Sequence, residues 1–262
     1  MMGFALNWAA LDPALLIPPL LVGILVLMTH VPLGRRVLAR GIIFLDLAVA
    51  QLAVLGVIVA YTLGWETQGW QTQLAATSAA LIGAAFLAWC ERRWPDIQEA
   101  LIGSTFVVAA SLAVLMLSND PRGGEHLSEL LTGQILWVST AQIIYLALLY
   151  AVLLAVWGVL RERVGRLGFY LVFALAITAS VQLIGVYLVF ASLILPALAV
   201  RRLHGLRAPL LGIALGTVAY TAGLILSALV DLPSGPSIVL MLALMALLAG
   251  NMLILAAAKI QH

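Results

Sequence analysis

The sequence predicts an all-α membrane protein, a polytopic bundle of eight full transmembrane helices plus one short crossing, in a single domain over residues 1–262. Two observations predict this fold class. Of the 262 residues, 64% are hydrophobic and only 9% are charged, whereas a soluble domain carries roughly 25% charged residues. Several uninterrupted apolar runs also reach the length of about 18 residues that identifies a membrane-spanning helix.

The predicted spans follow one another through short polar connections, of which residues 119–134 form the longest. Residues 169–199 are apolar throughout, which is too long for one span of about 20 residues. We therefore expect a full span to about Tyr187, with Gly185 marking the interruption, and a short crossing that ends near Pro196. The full spans are predicted at 13–31, 40–62, 73–90, 100–118, 141–160, 169–187, 210–229 and 238–258.

The basic residues give the predicted orientation. With nine alternating segments, Arg122 falls alone on one side of the membrane and the other twelve of the 13 basic residues fall on the opposite side. The positive-inside rule assigns the crowded side to the cytoplasm, so we expect the N-terminus outside and the C-terminus inside, in a bacterial inner membrane. The crowded side carries Arg35, Arg36, Arg40, Arg92, Arg93, Arg161, Arg163, Arg166, Arg201, Arg202, Arg207 and Lys259.

The composition also excludes several functions. Lys259 is the only lysine, so the chain lacks the GxxxxGK[ST] loop that binds nucleotide phosphates, and an ATPase would have to be another chain. Cys90 is the only cysteine, which excludes an intrachain disulfide framework. No covalently bound cofactor and no nucleic-acid partner are predicted, and the absence of a basic segment before the first apolar run argues against a cleaved signal peptide.

Asp46 is the strongest candidate for a functional residue, about two turns into the predicted span 40–62. A charge inside a bilayer costs a few kcal/mol, so such residues face a protein interior or an aqueous path. The carboxylate would be a hard oxygen ligand for a cation; the alternative is a structural carboxylate bonded to a neighbouring helix. Gln51 lies on another face of the helix. Asp46 shares one stripe with small side chains: Ala50, Ala53, Val57 and Ala60.

Thr178 and Gln182 form a second polar stripe, on the sixth predicted span. They would line a path or form hydrogen bonds between helices. Glu125 and His126 lie in the long polar connection, and His30 lies at the predicted end of the first span. These three could bind a cation at the mouth of a path, although polar surface and interfacial packing are the plainer interpretations. The sequence contains no HxxxH, CxxC or HExxH metal motif.

Four stretches of the sequence are more specific to a protein family than their hydropathy is. They read GIIFLDLAVAQLAVLG, GGEHLSELLTGQILWVS, SVQLIGVYLVFASLILPALAVRRL and DLPSGPSIVL. All four resemble the membrane permease subunits of bacterial zinc/manganese-type ABC importers, in order from about residue 14 to residue 255. The resemblance implies a homodimer with a cation path on its two-fold axis, two cytoplasmic ATPase subunits, an extracytoplasmic metal-binding protein, and zinc or manganese as the transported ion.

The resemblance also implies a coupling loop after the fifth span. The matching segment is RERVGRLG, which makes Arg161, Glu162, Arg163 and Arg166 candidates for contact with the ATPase, unless they form a plain positive-inside loop. Many family members carry a histidine four residues after the acid of the second span, where this chain has Ala50. His30 or His126 would then replace it, the ion would keep more of its water, or the substrate would differ.

The leading hypothesis is thus an importer permease for a divalent transition-metal cation, not itself an enzyme. Two alternatives stay open at this point. The first is a permease of similar scaffold for a metal chelate or a cobalamin-like substrate. The second is an ion-coupled secondary transporter that uses Asp46 as a proton relay.

Overall fold

The computed structural model describes residues 8–66, 69–160 and 165–260. These residues form nine α-helices and three short 3₁₀ turns, without a β-strand. The helices are α1 (Pro13–Arg40), α2 (Leu45–Thr62), α3 (Trp70–Arg93), α4 (Gln98–Leu117), α5 (Gly123–Thr132), α6 (Thr140–Leu160), α7 (Arg166–Ala199), α8 (Arg207–Val230) and α9 (Ser234–Ile260).

Seven of the helices in the described ranges are long and apolar enough to cross a membrane, namely α1 to α4 and α6 to α8. Helix α9 adds a further apolar helix. The predicted all-α transmembrane fold is therefore confirmed. One departure from the predicted layout is α5, a ten-residue helix inside the connection that was predicted to be plain polar chain.

The boundary between the first two spans differs from the prediction. Helix α1 continues past Val31 to Arg40, although Pro32 lies inside it. Helices in membranes tolerate such a proline because neighbouring groups satisfy the freed carbonyl. The chain then turns at Gly41, whose φ is 72°, and α2 begins only at Leu45.

Helix α7 is interrupted at Gly185, as its length predicted. The φ and ψ angles of Gly185 are 77° and 162°, and those of Gly133, just after α5, are 73° and 172°. This region of backbone space is essentially restricted to glycine. The two backbones are in contact, and a Cβ atom on either glycine would overlap main-chain atoms around the other. The end of α5 therefore lies directly against the interruption in α7.

The chain divides into two compact units. The first consists of Met1–Ala39, Gln134–Ala147 and Tyr187–His262. Within it, glycines allow α8 to approach neighbouring helices closely: Gly216 faces Leu27 of α1, and Gly223 faces the backbone of Ile238 in α9. Such small residues at crossings are typical of helix packing in lipid.

The second unit consists of Arg40–Gly133 and Leu148–Val186. Helix α2 lies at its centre, where Gly56 touches the backbone of α3 and Gly83 of α3 touches the side chain of Leu52. In an 18-residue apolar stretch of α2, 67% of the residues are buried, against 17% in the corresponding stretch of α6. The helix that carries Asp46 is thus largely enclosed by protein.

Candidate functional site

Asp46 lies in the first turn of α2, not two turns in as predicted, because the preceding GIIF segment forms the turn between α1 and α2. Its side chain is fully buried. Neither carboxylate oxygen has a hydrogen-bond partner within the described ranges. The first turn of a helix favours negative charge through its free N–H groups. Burying a carboxylate therefore costs less free energy at this position than in the middle of a helix. The carboxylate nevertheless keeps both oxygens available for a ligand.

The stripe predicted around Asp46 does pack against protein. All of its members are buried, and Ala50, four residues from Asp46, is 1% exposed. Gln51, on another face, is buried as well. The neighbour of Asp46 one turn along this stripe, Ala50, is therefore a small side chain.

Thr178 and Gln182 belong to the same compact unit as Asp46. The Oγ1 atom of Thr178 and the Nε2 atom of Gln182 are buried without a hydrogen-bond partner among the described residues. Asp46 is hydrogen-bonded to neither of them. Among the residues that the structure describes, these two side chains and Asp46 are three of six in this unit with buried polar atoms that lack a hydrogen-bond partner; the others are Glu91, Glu99 and His126.

His126 lies at the opposite end of α2 from Asp46. Its ring packs against that of Tyr61, with 4.7 Å between centroids, and its Nδ1 atom is 4.0 Å from Oε2 of Glu129. Fifteen residues separate Asp46 from Tyr61, which is about 22 Å along a helix. The two side chains therefore cannot bind the same ion, and Glu125 is simply exposed beside His126. Of the histidine, cysteine and acidic side chains described, no three are grouped so as to hold a metal.

Asp120 accepts two hydrogen bonds beside His126. The hydroxyl of Tyr61 donates to Oδ2 at 2.7 Å, and the backbone N–H of Arg122 donates to Oδ1 at 2.8 Å. These bonds, the first above all, hold the pKa of Asp120 below its ordinary value, because they favour the charged carboxylate. This contact joins the start of α5 to the end of α2.

His30 lies inside α1 rather than at its edge, because α1 continues to Arg40. The side chain is fully buried, and its Nδ1 atom is 2.9 Å from the hydroxyl of Thr29. His30 belongs to the first unit and Asp46 to the second.

Among the predicted coupling residues, Arg161, Glu162 and Arg163 lie outside the described residues. Arg166 is the first residue of α7, and its Nε atom is 3.8 Å from Oε1 of Glu91 on α3. No sequence pattern marks Glu91 as functional, or the polar residues Gln98 and Glu99 that begin α4. Their partners are distant in sequence, so no local pattern marks them.

Residues 13–165 and 158–253 match the model of the ABC 3 transport family, which together cover nearly the whole chain. The chain belongs to the ABC 3 transport family. It is thus the multi-pass membrane permease of an ABC transporter, whose ATPase subunits are separate chains, and the resemblance inferred from the four stretches is confirmed.

Two solved structures share the fold of this ABC 3 permease. PsaBC from Streptococcus pneumoniae, in complex with Fab, aligns with a TM-score of 0.71 at 20% identity, over 89% of this chain and 90% of that one. An inward-facing structure described as a metal-chelate type ABC transporter aligns with a TM-score of 0.63 at 15% identity, over 99% and 93%.

Proposed function

We propose that this ABC 3 permease is the membrane subunit of an importer that moves a divalent transition-metal cation, zinc or manganese, into the cytoplasm. The main support for this proposal is that the carboxylate of Asp46 is fully buried and has no hydrogen-bond partner within the described ranges. A buried charge without a partner is costly, and a passing cation would relieve that cost. Family membership favours ATP as the energy source over the ion-coupled secondary mechanism.

The ligand chemistry favours manganese over zinc. Asp46, Thr178 and Gln182 offer oxygen atoms, since the amide of Gln182 can present its oxygen after a flip. His126 is the only histidine in the sequence of the second unit, and it lies about 22 Å from Asp46 along α2. Oxygen ligands suit manganese, whereas zinc prefers nitrogen and sulfur.

The direction of transport and the partners complete the proposal. Twelve of the 13 basic residues fall on one predicted side, which we assign to the cytoplasm and to the ATPase subunits. A metal-binding protein delivers the ion to the opposite side, where Asp120 and Glu129 give the surface acidic character. Two copies of the chain form the transporter, and each supplies its own Asp46 carboxylate, which is buried within that copy.

The test is metal uptake by cells that lack their own importer, supplied with the permease, its ATPase and its binding protein. We expect Asp46→Asn to lower manganese uptake by about tenfold or more, as for the loss of metal-site residues in general, while assembly with the ATPase stays normal. Asp231→Asn, at the exposed end of α8, is the matched control and should transport normally. Normal uptake by Asp46→Asn would contradict the assignment of the site.

A metal chelate is the second candidate for the cargo, because the chain aligns over 99% of its length with the structure described as a metal-chelate type transporter. The two candidates separate in a competition assay. If the free ion is the cargo, excess chelate should not inhibit its uptake, and uptake of the chelate itself should be absent.

A further inference from the structure

The first turn of α7 is held by side chains from several other elements of the second unit. Two buried aromatic residues, Phe169 and Tyr170, follow directly after the predicted coupling segment. The guanidinium carbon of Arg40, at the end of α1, lies 4.4 Å from the ring centroid of Phe169. The ring of Trp157 on α6 lies 5.6 Å from the same ring. The helices on both sides of the coupling segment therefore contact each other through Trp157 and Phe169.

Gln98 connects this turn to α4. Its Nε2 atom donates a hydrogen bond of 2.5 Å to the hydroxyl oxygen of Tyr170. In the same turn, the Nε atom of Arg166 lies 3.8 Å from Oε1 of Glu91 on α3. A displacement at the start of α7 must therefore either break these contacts or move α4 with it.

Glu99, the next residue of α4, connects the same end of that helix to α2. Its Oε1 atom accepts a hydrogen bond of 3.2 Å from the backbone N–H of Phe44. Phe44 is the residue immediately before α2, and Asp46 follows two residues later. Gln98 and Glu99 thus join the first turn of α7 to the first turn of α2.

We propose that Gln98 and Glu99 are positioning residues that transmit a displacement of the start of α7 to both parts of the cargo path, Asp46 on α2 and Thr178 with Gln182 on α7. The inference rests on the proposed function, in which the ATPase subunits lie on the side of the membrane that carries Arg166. Thr178 is eight residues after Tyr170, about 12 Å along the helix, and Asp46 is two residues after Phe44. Two neighbouring side chains of α4 are therefore connected to both parts of the path.

The experiment uses the whole transporter in proteoliposomes, with its ATPase and binding protein, and measures ions imported per ATP hydrolysed. Gln98→Leu removes the donor to Tyr170, and Glu99→Leu removes the acceptor for Phe44. Each should lower the ratio by about fivefold or more, the usual scale of coupling between distant sites, while ATP hydrolysis continues. Glu99→Gln keeps an oxygen that can accept the same bond and should stay within about twofold of wild type by the same scale.

Asp96→Asn is the matched control, since Asp96 is exposed in the turn just before α4, and it should leave the ratio unchanged. Loss of uptake and hydrolysis in equal proportion, or a wild-type ratio in both leucine variants, would overturn the inference. If the leucine variants fail to assemble, Tyr170→Phe decides, because it removes the acceptor of the Gln98 bond and keeps the ring; a wild-type ratio then overturns the inference. A wild-type transporter that imports no divalent cation would instead contradict the proposed function.

Discussion

Replacing Gly185 with alanine tests the contact between the end of α5 and the interruption in α7. The φ and ψ of Gly185 are 77° and 162°, a conformation that residues with a side chain adopt at a cost of about 1–3 kcal/mol. The added Cβ would also overlap main-chain atoms of Leu131, Thr132 and Gly133. Overlap in a packed interior costs a further 1–3 kcal/mol, roughly.

The sum is about 2–6 kcal/mol of lost stability. Since 1 kcal/mol corresponds to about 2–4 °C for a chain of this size, the melting temperature of the purified permease should fall by at least about 4 °C. The fall should be visible in a thermal unfolding assay in detergent. Gly133→Ala should behave in the same way because it disrupts the same contact, and the two changes together should destabilise by less than their sum.

Gly103→Ala is the control for Gly185→Ala. Gly103 lies inside α4, and a Cβ atom there would meet nothing within 4 Å. Alanine is the better helix former by about 1 kcal/mol, so this variant should melt at or slightly above the wild-type temperature. A Gly185→Ala permease that melts with wild type would refute the close contact between the two glycine backbones.

Two further predictions concern the two ends of α2. Because the hydroxyl of Tyr61 and the N–H of Arg122 lower the pKa of Asp120, their stabilisation is complete above the usual value of about 3.9 and is lost as the pH falls through the lowered pKa. The protection of α5 against hydrogen exchange, measured relative to the intrinsic exchange rate at each pH, should fall over that acidic range in wild type. An Asp120→Asn variant in which this protection still falls over the same range would contradict the assignment to Asp120. At the other end, Ala50→His adds an imidazole one turn from Asp46 and should raise zinc uptake relative to manganese; an unchanged ratio in a competition assay would place the path away from this face.

The face of α2 could be predicted because helical periodicity holds wherever a helix begins. The stripe from Asp46 to Ala60 is buried as expected. The depth of Asp46 could not be predicted, because residues 41–44 are as apolar as the helices around them. The chain turns at Gly41, whose φ is positive, before α2 begins. A glycine in an apolar run does not by itself predict that backbone conformation.

The interruption of α7 was predictable from length, since thirty or so apolar residues exceed one span of about 20 and Gly185 offered the break. Helix α5 was missed because a ten-residue polar helix has little hydropathy signal. The contacts of Gln98 and Glu99 could not be predicted from local sequence patterns. Their partners Tyr170 and Phe44 are 72 and 55 residues away in sequence, so these contacts are identified only from the tertiary structure.

The unequal enclosure of α2 and α6 has a consequence for the surrounding membrane. Because 67% of the residues in its apolar stretch are buried, α2 has little surface on which a thicker or thinner bilayer could act. With 17% buried, α6 must meet hydrocarbon or another protein surface along most of its length. A mismatch between helix length and bilayer thickness is relieved by tilting or by association. We therefore expect lipid chain length to influence transport through α6, while the helix that carries Asp46 stays shielded from it.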